Sequence, residues 1–420
     1  MLTVTQLTAL IPSLLGAITL VGCSEPPLSA FTGGAGGVAE NAGNSAGLAA
    51  EAGKAGGAGG SAAGSVASAG SAGAAGGGAS GAAGQGGQGE PAGGSGMVGV
   101  FVAQGHEGRI TRSCDDGLTF PYNHSEDDAY RCFIDDQHDC DHSEFAGRGL
   151  AFGAGSFVAT WGWGYPGTLQ RSLDGKTFAD VMTATPTFAD VAFGNGLFVA
   201  CGNPTHISSD GSSWETGGEL SFDFNYRGIE FVPAGGGTFI VTGESAEQRA
   251  ISYSHDGKVW LAASERPATC GQELRGIAGS DSVIIVASGR GHICRSTDGG
   301  DKWTEQQVAE RFTSQPLWTG SEFWIYSGDQ RYQSADGEAW TSEAITPSNI
   351  QIGTLARSPG GTLVAANDGW LVWYDDQRLF RSTDGLTFTV LEPPGAITGS
   401  HPLKFISYGY VPAGAGCGLP

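Results

Sequence analysis

Ser208-Ser209-Asp210-Gly211-Ser212-Ser213-Trp214 is one of seven copies of a single phrase, Ser-x-Asp-(x)-Gly-x-x-aromatic, and that phrase decides the fold. The other boxes are Ser113–Phe120, Ser172–Phe178, Ser254–Trp260, Ser296–Trp303, Ser334–Trp340 and Ser382–Phe388. Their chemistry is that of a hairpin turn. Serine and aspartate oxygens accept exposed backbone N–H groups. Glycine supplies the positive φ of a tight reversal, and the aromatic opens the next strand and packs beneath the turn. One Ser-x-Asp-Gly is common in loops; seven at quasi-regular spacing are a repeat.

Two strand-like runs precede each later box. Gly149–Gly153 and Phe157–Thr160 stand before the second, and Asp190–Gly194 and Leu197–Cys201 before the third. Gly228–Phe231 with Phe239–Thr242, Gly276–Ala278 with Val283–Ala287, Leu317-Trp318 with Phe323–Tyr326, and Leu355-Ala356 with Leu363–Ala365 continue the series. Adding the strand that enters each box and the strand that leaves it gives four antiparallel strands per repeat, a propeller blade. The expected fold is all-β, a seven-bladed β-propeller over residues 97–420. The first box follows only Val98–Ala103 and Arg109–Ser113, so its blade lacks an innermost strand. Leu403–Val411 reads as a strand with no box after it, and is predicted to fill that place and close the ring without a free edge.

On these boxes the sequence resembles the Asp-box (BNR-repeat) β-propellers, which include sialidase-like and photosystem-assembly-factor-like proteins. The resemblance covers residues 97–420. A sialidase needs an arginine triad, a Tyr–Glu nucleophile pair and an acidic proton donor. The family's Arg-Ile-Pro motif is absent here, Arg109-Ile110-Thr111 being the nearest match, and no Tyr–Glu pair stands out by spacing. Seven blades also differ from the six typical of sialidases. A non-catalytic propeller that binds a glycan, a peptide or an envelope protein is the favoured reading; a sialidase-like or other glycan-cleaving enzyme is the alternative.

Strand alternation places all seven boxes on one face near the rim, where they brace the turns. The opposite face receives the irregular loops, where function usually lives. There the connection Pro121–Ala146 carries Asp135, Asp136, Asp139, Asp141 and His142 among other acids and histidines. Oxygen donors so closely spaced fit Ca²⁺, the histidines leave Zn²⁺ or Cu²⁺ open, and a solvated loop is the plain alternative. Trp161, Trp163 and Tyr165 in the next blade, with Trp370 and Trp373 in the last, read as exposed ring planes for stacking on sugars or apolar side chains, or as hairpin packing. Arg148, Arg227 and Arg275 each precede a glycine at the start of an innermost strand, placed either to clamp an anion or to pair with channel carboxylates.

Ahead of the repeats the chain reads differently. The apolar run Leu7–Gly22 is too short and interrupted to span a membrane and ends in Leu20-Val21-Gly22-Cys23. This resembles the bacterial lipobox, although Met1–Ala9 contains no Lys or Arg. The resemblance implies that residues 1–22 are a signal peptide, that Cys23 is lipidated, and that the protein is held in the bacterial cell envelope, at the outer membrane or cell surface, by this anchor alone. Residues 23–96 are nearly all Gly, Ala and Ser and cannot bury enough apolar surface to offset the entropy of ordering them, so a disordered tether is expected. The formal net charge of −22 excludes a protein that grips nucleic acid by general charge attraction. A monomer is expected.

Of the 8 cysteines, setting Cys23 aside leaves an odd number, so at least one is unpaired within the chain. Cys132 with Cys140, and Cys270 with Cys294, are candidate disulfides. Cys201 ends an inner strand and suits a buried thiol. Cys114 with Cys417 is a further pairing within the closing blade.

Overall fold

The computed structural model describes residues 96–105, 108–124, 147–162, 167–184, 188–220, 225–244, 249–270, 273–348, 350–367, 378–391 and 403–417, without the side chains of 184, 225–227, 244, 249, 250, 274 and 367. The apolar run Leu7–Gly22, Cys23 and the Gly/Ala/Ser-rich residues up to 95 lie outside the described residues. Among those described, no helix is long and apolar enough to cross a membrane.

Seven antiparallel four-stranded sheets form a seven-bladed β-propeller. Blade 1 contains β1 (Met97–Gly105), β2 (Ile110–Ser113) and β3 (Tyr122–His124). Blade 2 is β4 (Gly147–Gly153), β5 (Ser156–Trp161), β6 (Gly167–Ser172) and β7 (Ala179–Ala184); blade 3 is β8 (Asp190–Gly194), β9 (Leu197–Cys201), β10 (His206–Ser208) and β11 (Glu215–Thr216). Blade 4 runs from β12 (Asn225–Val232) through β13 (Thr238–Glu244) and β14 (Arg249–Ser254) to β15 (Leu261–Ala262). Blade 5 is β16 (Leu274–Gly279), β17 (Ile284–Ser288), β18 (His292–Ser296) and β19 (Thr304–Gln307). Blade 6 comprises β20 (Leu317–Trp318), β21 (Phe323–Ser327), β22 (Gln330–Ser334) and β23 (Thr341–Ala344). Blade 7 comprises β24 (Ile352–Arg357), β25 (Leu363–Asn367), β26 (Leu379–Ser382) and β27 (Thr389–Leu391). The last strand, β28 (Leu403–Pro412), returns to blade 1 as its innermost strand and pairs with β1 from Met97↔Pro412 to Gly105↔Leu403. The closing strand is therefore where the sequence predicted it.

Period-two alternation on each second strand builds the core. Along β1, Val100 and Val102 join a cluster with Leu150, Phe157 and Ala159 of blade 2, whereas Phe101 and Ala103 join Ala356, Val364 and Leu379 of blade 7. The same device fills every seam, giving one apolar cluster between each pair of neighbouring blades around a closed circle. Sandwiched sheets need both faces apolar, which is why these second strands read as continuous hydrophobic runs.

The boxes turn the third strand of each blade into the fourth. In blade 3 the Gly211 N–H donates to Ser208 Oγ at 2.9 Å, the Ser208 hydroxyl donates to Asp210 Oδ1, and the Ser212 and Ser213 N–H groups both donate to that oxygen at 2.8 Å. The Trp214 indole N–H closes the turn on the Gly211 carbonyl at 3.2 Å. Gly211 has φ 71°, and a Cβ there would lie 2.9 Å from Val158 Cγ2 of the preceding blade, so both backbone and packing require glycine. Boxes also bind blade to blade. Arg112 Nη1 donates to the Asp174 carbonyl, Arg295 Nε to Asp336 and Arg331 Nη1 to Asp384, in each case from a third strand to the next blade's box.

Two disulfides join described cysteines, Cys114–Cys417 and Cys270–Cys294, and Cys201 is a free buried thiol. Cys132 and Cys140 lie outside the described residues.

Candidate functional site at the loop-bearing mouth

The chain leaves β3 at His124 and re-enters at Gly147, so the acidic connection is anchored on the face opposite the boxes. The connections from Trp161 to Gly167 and from Asn367 to Leu379 join second to third strands and belong to the same face. Asp135, Asp136, Asp139, Asp141, His142, Trp163, Tyr165, Trp370 and Trp373 themselves lie outside the described residues. Among the described residues, no group of three or more His, Cys, Asp or Glu side chains is placed to hold a metal ion.

Trp161 corrects the sequence reading. It is 2 % exposed and packs with Val100, Val102 and Ile110 of blade 1, so its ring is seam filling and no stacking platform. The sequence neighbours Gly162 and Gly164 hide this, because its apolar company comes from another blade. Beside it Gln104, at 0 % exposure, donates from Nε2 to the Thr160 carbonyl at 2.9 Å. Arg109, in the nearest match to the absent Arg-Ile-Pro motif, is also fully buried. Its Nε donates to Asn123 Oδ1 at 3.1 Å, and burial pulls its guanidinium down to about 10.

The arginines share a placement that the sequence did not reveal. Each is the extra residue of a β-bulge at the start of an innermost strand: the register steps from Gly147↔Trp161 to Gly149↔Thr160 past Arg148, from Tyr226 to Gly228 past Arg227, and from Leu274 to Gly276 past Arg275. A bulge re-aims the side chain it carries. Arg148 acts electrostatically on Asp190 of blade 3. Arg275 lies beside Glu273 over Gly289, where an added Cβ would meet Arg275 Nε at 2.9 Å and Glu273 Oε2 at 3.0 Å. The Arg227 side chain lies outside the described residues.

Asp190 is the functional candidate that sequence reasoning missed. It occupies the position taken by Gly149, Gly228 and Gly276 in blades 2, 4 and 5. Its Oδ1 accepts the Val191 N–H at 2.8 Å and its Oδ2 the Ile229 N–H of blade 4 at 3.2 Å. A Cβ on Gly149 would lie 2.0 Å from Asp190 Oδ1, so the arginine–glycine pair in blade 2 makes room for this carboxylate. Burial pushes the carboxyl up to about 7, against the opposing pull of the two N–H groups and Arg148. Cys201, opposite Asp190 in the β8–β9 ladder, is held protonated by burial and then by the Asp190 charge. Burial thus sets a carboxyl of raised pKa at the inner end of the loop-bearing mouth, with each oxygen already accepting a main-chain N–H.

The box aspartates behave oppositely. Burial pushes the Asp384 carboxyl up, but the Thr387 and Leu386 N–H groups and Ser382 outweigh it and hold the group at about 2. All seven box carboxyls are depressed by such bonds. In each of them Oδ1 accepts main-chain N–H groups of its own turn.

No protein-family model and no curated protein matches the chain. Similar solved structures include a YCF48 from Cyanidioschyzon merolae, at 16% identity over 59% of this chain and 84% of that one, with a TM-score of 0.44. A streptogramin B lyase structure is 12% identical over 62% of this chain and 86% of the other, with a TM-score of 0.48. Apo AztD from Citrobacter koseri is 9% identical over 75% and 98%, with a TM-score of 0.45. The β-propeller class of this chain stands on its own seven sheets, and nothing about activity passes to it from these matches.

Proposed function

We propose that this chain is an Asp-box propeller of the bacterial cell envelope, lipid-anchored at Cys23 and carried on the 23–96 tether. In this reading it binds a glycan, a peptide or an envelope protein through its loop-bearing mouth, without cleaving it. One observation carries this reading: the box aspartates engage Oδ1 in hydrogen bonds that hold their own turns, whereas the long acidic and aromatic connections are anchored together on the other face. Recognition therefore falls to that face. Trp163, Tyr165, Trp370 and Trp373 would supply stacking planes, and Arg148, Arg227 and Arg275 the charged contacts. Asp135, Asp136, Asp139, Asp141 and His142 would order the long connection around Ca²⁺. Two disulfides support an exported protein.

The test is a panel of neutral oligosaccharides, peptides and envelope extracts offered to the purified chain with and without chelator. Trp163→Ala with Tyr165→Ala should lower affinity at least tenfold at unchanged Tm. Unaltered affinity places recognition elsewhere, and turnover of a glycoside replaces binding with catalysis.

A further inference from the structure

The two disulfides differ in what surrounds them. Cys270 and Cys294 are 0 % and 1 % exposed, and lie in the apolar cluster with Ile240, Ile284 and Trp303. Cys114 and Cys417 are only partly buried, at the edge of the blade 1–blade 2 cluster. Cys114 is the second residue of the first box, a place held by Leu173, Ser209, His255, Thr297, Ala335 and Thr383 in the others. Cysteine stands there only in the blade where the two ends of the propeller chain meet. Its partner ends a short turn, Ala413–Gly416, that lies across blade 1 toward blade 2: Arg112 donates from Nη1 to the Ala415 carbonyl at 3.1 Å and from Nη2 to Gly416 at 3.2 Å. A Cβ on Gly416 would lie 2.9 Å from Lys176 Nζ. Beneath this turn the β1–β28 ladder continues to Met97↔Pro412, so ring closure does not depend on the sulfur bridge.

We propose that Cys114–Cys417 is a reductant-responsive latch on the C-terminal turn, and that Cys270–Cys294 is a permanent staple. A thiolate of an external dithiol attacks one sulfur of this partly buried bridge, forming a mixed disulfide and releasing the other cysteine as a thiolate that takes up a proton. The second thiol of the dithiol then displaces the first cysteine and becomes oxidised to a disulfide. Cys114 and Cys417 have together gained two electrons and two protons. Attack requires access, which the first bridge offers and the second denies. Release frees residues 413–417 and uncovers the cationic Arg112 and Lys176 on an otherwise acidic protein, while the seven blades stay closed.

The full chain is treated under native conditions with dithiothreitol, alkylated, and mapped by mass spectrometry. Cys114 and Cys417 should label at least tenfold faster than Cys270 and Cys294, with unchanged far-ultraviolet circular dichroism. Amide exchange at 413–417 should rise on reduction, and the same rise should appear without reductant in the Cys114→Ser, Cys417→Ser double variant. Equal labelling of both bridges, labelling of neither before unfolding, or unchanged exchange at 413–417 in the double variant would each overturn the latch.

Discussion

Arg381 Nε donates to the main-chain carbonyl of Asp116 at 2.9 Å, and its Nη2 lies 3.3 Å from the Asp116 carboxylate, so the seventh blade grips the box of the first. Asp116 is the extra residue of that box and also receives the Thr362 hydroxyl of blade 7. The ring is thus closed by side chains at the box face as well as by β28 at the axis. Arg381→Ala is expected to cost about 1 kcal/mol, the ordinary worth of such bonds at a partly exposed site. Chemical denaturation of the variant reads this directly, and an unchanged midpoint would reduce the contact to decoration.

Trp161 separates packing from recognition. Trp161→Ala should destabilise by about 3–5 kcal/mol through the cavity it leaves between blades 1 and 2. Among the described residues its indole N–H has no hydrogen-bond partner, so Trp161→Phe removes a buried orphan donor and should cost far less than alanine. Thermal melts of the two variants check the order; similar losses would mean that the donor is satisfied in solution.

The glycine of the box is tested at Gly211. Gly211→Ala combines left-handed backbone strain with a close approach to Val158, and should cost on the order of 2 kcal/mol. Asp210→Asn retains an accepting oxygen for the Ser212 and Ser213 N–H groups and should cost less. Reversal of this order in urea titrations would relocate the strength of the turn to its charge.

Two groups of carboxylates act in separate pH windows. Asp190 has a folded-state value of about 7, above that of the unfolded chain, so its contribution is full below about pH 4 and is lost as pH rises to about 7. The limiting slope is about 1.4 kcal/mol per pH unit. Asp384 is depressed to about 2, so its contribution is present above about pH 4 and is lost as the pH falls toward 2. Asp190→Asn should flatten the decline between pH 4 and 7 and leave the acid limb intact. Parallel stability curves for variant and wild type would remove Asp190 from the account.

The repeat, the blade and the closing strand were legible because they rest on local chemistry: Ser, Asp and Gly bond within one turn, and apolar runs mark the second strands. Contacts between blades were not. Arg112, Arg295, Arg331 and Arg381 stand immediately or three residues before their own box serine yet reach main-chain carbonyls of the neighbouring box, and a carbonyl leaves no complementary mark in sequence. Asp190 carries no such mark, because it stands in a repeat position that Gly149, Gly228 and Gly276 hold in other blades and its bonds run to main-chain N–H groups. Trp161 was misplaced because its partners, Val100 and Ile110, lie in a different repeat.

The return of β28 to the first blade sets the order in which the molecule is completed. Until residues 403–412 have been synthesised, β1 presents an open edge, and the first blade is one strand short. A chain truncated before Leu403 would offer that edge to the terminal strand of an intact neighbour, turning an intramolecular closure into strand exchange between copies.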